Sequence, residues 1–364
     1  MEIAKVKRIL IIRTDRIGDV VLSTPVIKAA RSAFPDAYIA MMVSEQTKEI
    51  VTGNPDLNEV IVYDKQSRHR GFLKTLIFAN WLKGKRFDLA LILHSTVRVN
   101  IICCLAGIPQ RVGYARGKMD FLLTRRLEYT KRLGEKHEIE YSLDVLRSIG
   151  VKAEPSPLII PLKESVVKEA DSLLFESGLK KDEKFVVISP GASCVSRIWP
   201  SANFARLADI LKERFGLSTV LVSGLEEVKI GEKVRELMSS KPVFLCGRMS
   251  LGVLAAILKR APLLISNDSG PVHIACAVGT PVISIFSRKE KGLSPVRWGP
   301  FGKKGVFVHK DVGCVKCLAH NCDKGFLCLY SITVDEIVEK VKELLYPGPS
   351  SNTEGVKMGD KKVE

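Results

Sequence analysis

The chain has 364 residues, of which 46% are hydrophobic, and its 56 Lys and Arg against 40 Asp and Glu give a net charge of +16. This length predicts two domains with packed cores, and the lack of any run of about 18 apolar residues argues against a transmembrane helix. The charge favours an anionic partner, which could be nucleic acid, an acidic lipid surface or a phosphorylated substrate. The first apolar run is too short for a secretion signal, so we expect a cytoplasmic protein.

Short apolar runs alternate with amphipathic stretches along the first part of the chain. The predicted strands are 8–13, 38–43, 60–63 and 89–93, and the predicted helices are 20–34, one helix between 43 and 60, and 72–83. Alternation of this kind predicts a parallel sheet that is covered by helices on both faces.

A proline-rich segment, 152–161, interrupts this pattern and predicts an interdomain connector. A second alternating series follows it, with strands 185–189, 219–223, 243–245, 263–266 and 282–286 and helices 202–215, 227–238, 251–259, 271–278 and 334–345. The sequence therefore predicts an α/β protein with two doubly wound domains, residues 1–160 and 161–346, that face each other across a cleft. Residues 347–364 are rich in Gly, Pro, Ser and Lys and predict a disordered tail.

Residues 266–275 read Ser-Asn-Asp-Ser-Gly-Pro-Val-His-Ile-Ala and follow an apolar run. They predict a buried strand, a turn, and a helix whose first turn contains the proline. Free backbone N–H groups at a helix start attract phosphate, so this turn is a candidate phosphate site. Its candidate ligands are Asp268, Ser269, Gly270 and His273, although His273 could equally be an ordinary buried histidine.

Two other strand ends of the second half carry polar residues. In the segment 189–200, the Ser193 hydroxyl and the Arg197 guanidinium could hold a phosphate. The alternative is a plain turn with a solvated arginine. Glu226 and Glu227 follow another strand, where they could hold ribose hydroxyls or simply be acids in the first turn of a helix.

The first turn of the chain, 13–20, lacks the GxGxxG spacing of a dinucleotide site, which disfavours an oxidoreductase. Asp19 lies at the head of the predicted helix. It could take a proton from a substrate hydroxyl or only cap the helix. No Asp-X-Asp triplet occurs in the sequence, so a metal-bridged nucleotide-sugar site has no support and no metal is expected there.

The nine cysteines are unevenly placed. A cluster with C-x2-C-x4-C-x5-C spacing contains Cys314, Cys317, Cys322 and Cys328. This cluster could be a structural metal site, a loop poised to form disulfides, or a set of free thiols. The isolated cysteines are interpreted as small buried apolar residues; they are Cys103, Cys104, Cys194, Cys246 and Cys276.

Basic residues crowd the first half of the chain. They form a solvated face or a surface for an anionic acceptor or lipid headgroups. The candidate acceptor contacts are Arg68, Arg70, Arg98 and Arg116. No aromatic platforms are interleaved with these residues and no nucleic-acid-binding motif is present, so we do not expect nucleic acid as a partner.

Several of these motifs resemble those of glycosyltransferase family nine, the ADP-heptose:lipopolysaccharide heptosyltransferases. The resemblance spans about residues 5 to 345 and is carried by Gly18-Asp19, by 189–200 and by 268–281. His137-Glu138 also fits the family, and the cysteine cluster resembles that of a heptosyltransferase II-like branch. Where this chain has Arg197, the family usually has lysine, so the charge is kept on a larger fork.

The resemblance implies a GT-B fold, in which two Rossmann-like domains bind the acceptor in the N-terminal half and the nucleotide sugar in the C-terminal half. It implies metal-independent transfer with inversion at the anomeric carbon and no cofactor. It makes Asp19 the general base, assigns Ser193 and Arg197 to the diphosphate, and assigns Glu226 or Glu227 to the ribose. The residues that would line the donor site are Asp268, Ser269, Gly270 and His273.

The implied reaction moves a heptose from ADP-heptose to the lipopolysaccharide inner core, either Kdo-lipid A or a heptosylated acceptor. The implied partners are an ADP-linked sugar and a lipid-linked anionic glycan, on the inner face of the cytoplasmic membrane. The alternatives are a family member that uses another nucleotide sugar for a different surface glycan, a GT-B nucleotide-sugar epimerase, a non-catalytic nucleotide-sugar-binding protein, and a metal or redox protein built on the cysteine loop.

Overall fold

The computed structural model describes residues 6–65, 67–317 and 319–347. The predicted disordered tail therefore lies outside the described residues, apart from Pro347. Among the described residues, no helix combines the length and the apolar content that crossing a membrane requires.

The described elements alternate between strand and helix. The strands are β1 (Arg8–Ile12), β2 (Tyr38–Val43), β3 (Glu59–Val62), β4 (Leu89–Ile92), β5 (Gln110–Tyr114), β6 (Arg125–Leu127), β7 (Phe185–Ser189), β8 (Ser218–Leu221), β9 (Val243–Phe244), β10 (Leu264–Asn267), β11 (Val282–Phe286) and β12 (Gly305–His309). The α-helices are α1 (Ile17–Val21), α2 (Thr24–Ala33), α3 (Lys48–Val51), α4 (Phe72–Gly84), α5 (Val97–Leu105), α6 (Glu138–Arg147), α7 (Glu164–Glu176), α8 (Ser201–Phe215), α9 (Val228–Leu237), α10 (Leu251–Arg260), α11 (Gly270–Val278), α12 (Pro295–Trp298), α13 (Leu327–Tyr330) and α14 (Val334–Leu345).

The strands form two separate six-stranded parallel sheets. Their strand orders are β3-β2-β1-β4-β5-β6 and β12-β11-β10-β7-β8-β9. In the first sheet, β2 and β3 lie on one side of β1, and β4 begins the series on its other side. In the second sheet, β8 and β9 lie on one side of β7, and β10 begins the series on its other side. Ligands of such sheets bind beyond the carboxyl ends of the strands at these switch points. The predicted α/β fold with two doubly wound sheets is confirmed.

The central strands lie in the cores of the two halves. Every residue of β4, β7, β10 and β11 is buried, as is every residue of β1 after Arg8. Runs of Val, Ile and Leu suit these positions because helices cover both faces of a parallel sheet. The predictions for β2, β7, β11 and α14 match the observed bounds, and most others differ by one or two residues.

The predicted helix 20–34 is wrong in its extent, because the chain makes two helices there. The first, α1, starts earlier than predicted and ends where the Leu22 N–H bonds to the Gly18 carbonyl. The second, α2, restarts at Thr24 with Pro25 in its first turn. Proline has no N–H to donate, so it starts a new helix more readily than it continues an old one. The strands and α-helices that we did not predict are β5, β6, β12, α5, α6, α7, α12 and α13.

The two halves touch through two pairs of helices. Helix α1 packs on α11, and α3 packs on α10, where the Gly252 N–H donates to Glu49 Oε2 at 2.8 Å. The carboxyl ends of β1 and β10 therefore lie near each other. The segment between α6 and α7 contains no helix or strand in this fully described part of the chain, and we predicted the domain boundary within it.

Candidate active site

Asp19 lies inside the first turn of α1, directly after β1, and only 8% of its surface is exposed. The Arg13 Nη2 donates to Asp19 Oδ1, and the Arg13 Nε donates to Asp15 Oδ1 at 2.8 Å. The helix is preceded by Arg16, whose side chain makes no cap. The capping alternative for Asp19 therefore finds no support in the structure, because its carboxylate is engaged by a buried arginine.

The Asp19 carboxyl has an unusual electrostatic environment. Burial raises its pKa to about 6, and the nearby Asp15 and Glu138 add to the rise while Arg13 opposes it. A carboxyl with this pKa is still ionised at pH 7 and is more basic than an ordinary aspartate. These are the properties that a general base needs.

Glu138, at the start of α6, is completely buried and connects Asp19 to the second half of the chain. It accepts from Lys131 Nζ at 2.7 Å, from Arg13 Nη1 at 3.0 Å and from Arg297 Nε at 2.8 Å. Burial alone would raise the pKa of Glu138, but these three cations hold it well below its usual range. Since Arg297 belongs to α12, this network joins the two halves. From the sequence we noted only that Glu138 fits the family, and charged residues far apart in the sequence gave no sign of their contact.

Ser193, Arg197 and Asp268 come together at the carboxyl ends of β7 and β10, which are neighbouring strands. Arg197 Nη1 donates to the Asp268 carbonyl at 3.0 Å and lies 3.5 Å from Asp268 Oδ2. Arg197 Nη2 donates to Ser193 Oγ. The structure thus brings two of the sequence motifs together at the switch point, where a phosphate-bearing ligand is expected. Arg288, whose charge also acts on Asp268, adds a second cation, and we call this group of two arginines, Ser193 and Asp268 the cationic cluster.

Asn267 links the two loops of this cluster and was not singled out from the sequence. It is fully buried, its Nδ2 donates to the Pro190 carbonyl at 2.7 Å, and its Oδ1 accepts from the Trp199 N–H at 3.0 Å. The sequence does carry a signal for this role, since Asn267 is a polar residue at the end of a buried strand. Buried amides are almost always hydrogen-bonded, so such a residue is expected to bind neighbouring backbone groups.

The start of α11 lies against α1. Ser269 precedes the helix without making a side-chain cap, and its hydroxyl lies 3.1 Å from that of Ser266. A Cβ on Gly270 would lie 3.2 Å from Ile17 Cγ2, so only a glycine allows this approach comfortably. The N-terminus of α11 therefore lies at the junction between the halves, and its role as a phosphate site stays a prediction.

His273 is almost fully buried and contacts α1. A Cβ on Gly18 would lie 2.5 Å from His273 Cδ2, and among the described residues His273 Nδ1 has no hydrogen-bond partner. Burial lowers the pKa of His273 to about 3, so the ring is neutral at physiological pH. Its placement beside Gly18, one residue before Asp19, puts it at the junction between the halves. Its role as a donor ligand stays a prediction.

Glu226 and Glu227 occupy different environments. Glu226 is exposed, whereas Glu227 is partly buried and lies against the loop that follows β7, since a Cβ on Gly191 would lie 2.6 Å from Glu227 Oε2. Burial raises the pKa of Glu227. Of the two candidates for a ribose contact, Glu227 is therefore the one beside the cationic cluster.

The four candidate acceptor arginines, Arg68, Arg70, Arg98 and Arg116, are all exposed and all lie in the first half. Arg116 contributes to lowering the pKa of His94 to about 4, after burial and Arg13, so it lies near the Asp19 group. The other three have no contact in the structure that distinguishes a ligand site from a solvated face, and all four stay predictions.

The four clustered cysteines, Cys314, Cys317, Cys322 and Cys328, are partly buried free thiols that line one small cavity. Within the described residues, which leave out Leu318, no group of three or more His, Cys, Asp or Glu is arranged to hold a metal ion. The hypothesis of a metal site here therefore gains nothing from the geometry.

The isolated cysteines differ in their burial and in their neighbours. Cys103 and Cys246 are buried as expected, but Cys194 is not a simple apolar residue. Its thiol lies 2.9 Å from Arg288 Nη2 and 3.3 Å from Arg197 Nε, within the cationic cluster.

Two doubly wound sheets whose switch points face each other are the fold of the GT-B glycosyltransferases. In this chain, Asp19 lies on one side of the junction and the cationic cluster on the other. The chain belongs to glycosyltransferase family 9 (heptosyltransferase), whose sequence profile matches residues 76–327. The resemblance inferred from the motifs is thereby confirmed, and the protein is a glycosyltransferase.

Individual relatives agree with this assignment. The chain is 26% identical over 343 residues to lipopolysaccharide heptosyltransferase 3 of Escherichia coli (strain K12), which covers 90% of this chain and 95% of that protein. The crystal structure of the glycosyl transferase family 9 protein from Veillonella parvula DSM 2008 superposes with a TM-score of 0.83 at 25% identity, over 93% of this chain and 97% of that one. E. coli heptosyltransferase WaaC with ADP-2-deoxy-2-fluoro heptose has a TM-score of 0.67 at 18% identity, over 92% and 99% of the two chains. The family and these relatives together support a heptosyltransferase of lipopolysaccharide core biosynthesis.

Proposed function

We propose that this protein transfers a heptose from ADP-heptose to the inner core of lipopolysaccharide, with Kdo-lipid A or an already heptosylated core as acceptor. The observation that carries the proposal is the placement of a basic carboxyl, Asp19, across the junction from the Arg197–Asp268 cluster. The family membership and the ADP-heptose analogue bound to one structural neighbour support the choice of donor.

In this proposal the diphosphate of the donor binds at the cationic cluster. Arg197 and Ser193 donate to phosphate oxygens, together with the first N–H groups of α11, and Glu227 accepts from the ribose hydroxyls. Because these donors are in place before the reaction, they stabilise the negative charge that develops on the departing ADP. The transfer therefore needs no metal ion.

The chemical step is a single displacement with inversion. Asp19 takes the proton of an acceptor hydroxyl, and that oxygen forms a bond to the anomeric carbon as the bond to ADP breaks. The products are the glycosylated acceptor, ADP, and a proton held on Asp19. No covalent intermediate with the enzyme forms, because the acceptor oxygen itself is the nucleophile.

The acceptor, in this proposal, is the anionic glycan of a lipid in the cytoplasmic membrane, and the protein works on the inner surface of that membrane. The exposed arginines of the first half, among them Arg116 near the Asp19 group, are the proposed contacts for its acidic sugars and phosphates. The net charge of +16 supports an acidic partner of this kind.

The test is a transfer assay with purified protein, a panel of nucleotide-linked sugars that includes ADP-heptose, and Kdo-lipid A or a heptosylated core. Release of ADP and the mass of the product are both measured. Asp19→Asn should bind ADP as the wild type does and lose about 10²–10⁴-fold in turnover. Asp36→Asn, which changes an exposed aspartate of the same half, is the matched control.

Each alternative predicts a different result in this assay. Transfer from another nucleotide sugar would change the donor, and an isomerised nucleotide sugar without acceptor would indicate an epimerase. Nucleotide binding without turnover on any acceptor would indicate a binding protein. Wild-type turnover by Asp19→Asn would overturn the assignment of the base.

A further inference from the structure

The outward face of α4 is apolar, although it is exposed. Leu73, Ile77 and Trp81 are spaced four residues apart, which places them along one face of the helix. Their exposed fractions are 74%, 69% and 46%, and Phe72 beside them is 72% exposed. Exposed helix faces of globular proteins normally carry polar residues, so this face needs a partner to explain it.

The other side of α4 already supplies the packing that folding requires. Thr75, Phe78, Ala79 and Leu82 are buried, and Phe78, Ala79 and Leu82 belong to the core cluster that covers β1 and β4. The fold is therefore satisfied without the outward residues. Two further exposed apolar side chains, Met119 and Phe121, lie in the segment that packs on α5, the helix next to α4.

The stretch of sequence that contains α4 is strongly basic. Between Lys65 and Phe87 the sequence contains seven Lys and Arg and no Asp or Glu. Six of these seven residues are exposed, and they are Lys65, Arg68, Arg70, Lys74, Lys83 and Arg86. Lys85 lies over the Trp81 ring, 5.0 Å from its centroid, and also pairs with Glu59 at 2.7 Å.

An apolar face inside a basic rim matches a bilayer surface with anionic headgroups. Bulky apolar and aromatic residues enter the boundary between headgroups and acyl chains, while Lys and Arg contact the lipid phosphates. Tryptophan prefers this boundary because its ring is apolar and its N–H is polar. A second copy of this chain fits less well, since two such faces would bring the same positive charge together.

We propose that the outward face of α4 docks the protein on an anionic membrane, with Phe72, Leu73, Ile77 and Trp81 inserted into the boundary region. This inference rests on the proposed function in one respect, since a lipid-linked acceptor would lie in the same bilayer. Docking would hold the first half of the enzyme at the surface where that acceptor is anchored.

Vesicle sedimentation with the full-length protein tests the docking. Vesicles of phosphatidylcholine alone are compared with vesicles that also contain phosphatidylglycerol. The wild type should bind the anionic vesicles, and the double variant Leu73→Ser with Ile77→Ser should bind them at least about tenfold more weakly. The matched control is Phe175→Ser with Leu237→Ser, which removes two exposed apolar residues, 70% and 49% exposed, from the second half.

Fluorescence of Trp81 gives an independent readout. The chain has three tryptophans, and Trp199 is fully buried. On anionic vesicles the wild-type emission should shift to shorter wavelength, and Trp81→Phe should abolish the shift. Lys74→Gln with Lys83→Gln should weaken binding to the anionic vesicles and make it less sensitive to salt.

Transfer to a water-soluble, deacylated acceptor separates the two proposals. The Leu73→Ser, Ile77→Ser variant should keep wild-type turnover in that assay, which also shows that it is folded. Vesicle binding without any transferase activity would overturn the proposed function and leave the docking surface standing. Equal vesicle binding by the wild type and this variant would overturn the docking surface. So would a wild-type dimer that this variant converts to a monomer, because the face would then belong to a second copy.

Discussion

Arg297 in the second half of the chain donates through Nε and Nη2 to the buried Glu138 in the first half, at 2.8 and 2.7 Å. Glu138 also accepts from Arg13, which in turn holds the Asp19 carboxylate. The candidate base is thus connected to both halves through two buried side chains. Its position depends on how the halves are joined as well as on its own helix.

Glu138→Gln is expected to destabilise the protein strongly. Among the described residues, Glu138 is the only ion-pair partner of Lys131 and Arg297, so the substitution leaves these two cations buried without an anion. Breaking a buried ion pair by removing one partner costs about 3–5 kcal/mol. The loss should appear in the free energy of unfolding measured with urea.

Glu140→Gln is the matched control for Glu138→Gln, because Glu140 lies on the same helix and pairs with Arg147 at 2.6 Å while partly exposed. Exposed pairs contribute about 0–1 kcal/mol. An equal effect of the two substitutions would contradict the importance that we give to the buried network.

The pH dependence of turnover should reveal the Asp19 carboxyl. Its pKa is raised to about 6, and a general base must be ionised, so kcat/KM should fall as the pH decreases through this value and level off above it. Asp15→Asn removes a charge that raises the pKa of Asp19, and it frees Arg13 to interact more fully with Asp19. The acidic limb of the profile should therefore move to lower pH in this variant. The substrate ionises in the same way with both proteins. If the acidic limb does not move in Asp15→Asn, that limb reports ionisation of the substrate and not of Asp19.

Arg197→Gln should weaken ADP binding. A hydrogen bond to a charged group contributes about 1.5–3 kcal/mol, so the Kd measured by calorimetry should rise about 10- to 100-fold. Arg197→Lys keeps the charge but loses the two-pronged geometry of the guanidinium, so its Kd for ADP should lie between those of the wild type and Arg197→Gln. Arg206→Gln, an exposed arginine of α8, should leave the Kd unchanged. A normal Kd in Arg197→Gln would remove this residue from the donor site.

Cys194 should be the thiol that reports on the donor site. Burial alone would raise its pKa, but hydrogen bonds from Ser196 and Arg197 and the charges of Arg197 and Arg288 lower it. Iodoacetamide should therefore modify Cys194 faster than Cys246, whose pKa is raised to about 11 by burial. Peptide mapping with and without ADP measures both rates, and ADP should protect Cys194. Equal rates at Cys194 with and without ADP would place the nucleotide elsewhere.

Gly18→Ala should disturb the contact between the halves. The added Cβ would lie 2.5 Å from His273 Cδ2, and such overpacking costs about 1–3 kcal/mol. Gly117→Ala, where nothing lies within 4 Å of the added atom, is the control. Adding His273→Ala should relieve the clash, so the double variant should lose less stability in urea than the sum of the two single losses. Additive losses would mean that α1 and α11 adjust independently.

The fold was largely predictable from the sequence because its central strands are continuous apolar runs. Such runs, as in β4 and β7, are buried on both faces and end at or next to the first polar residue. The missed edge strand β6 reads Arg-Arg-Leu and is exposed for two of its three residues, so its burial pattern carried no signal. The split between α1 and α2 depended on one proline that we allowed inside a longer helix.

The candidate site was predictable where its residues follow strand ends. Ser193, Arg197 and Asp268 come after neighbouring parallel strands, whose carboxyl ends must share one edge. The environment of Asp19 was not predictable, since Arg297 is far from it in the sequence and joins it only through Glu138. Contacts of this kind depend on how two halves dock, which local patterns do not encode.

The buried group around Glu138 contains equal numbers of positive and negative side chains when all of them are ionised. They are Arg13, Lys131 and Arg297 against Asp15, Asp19 and Glu138. A proton carried on Asp19 at the end of a transfer would leave this group with one unbalanced positive charge. With a pKa of about 6, the carboxyl releases that proton to water at neutral pH. In the proposed reaction, the site would therefore return to its starting state without help from another residue.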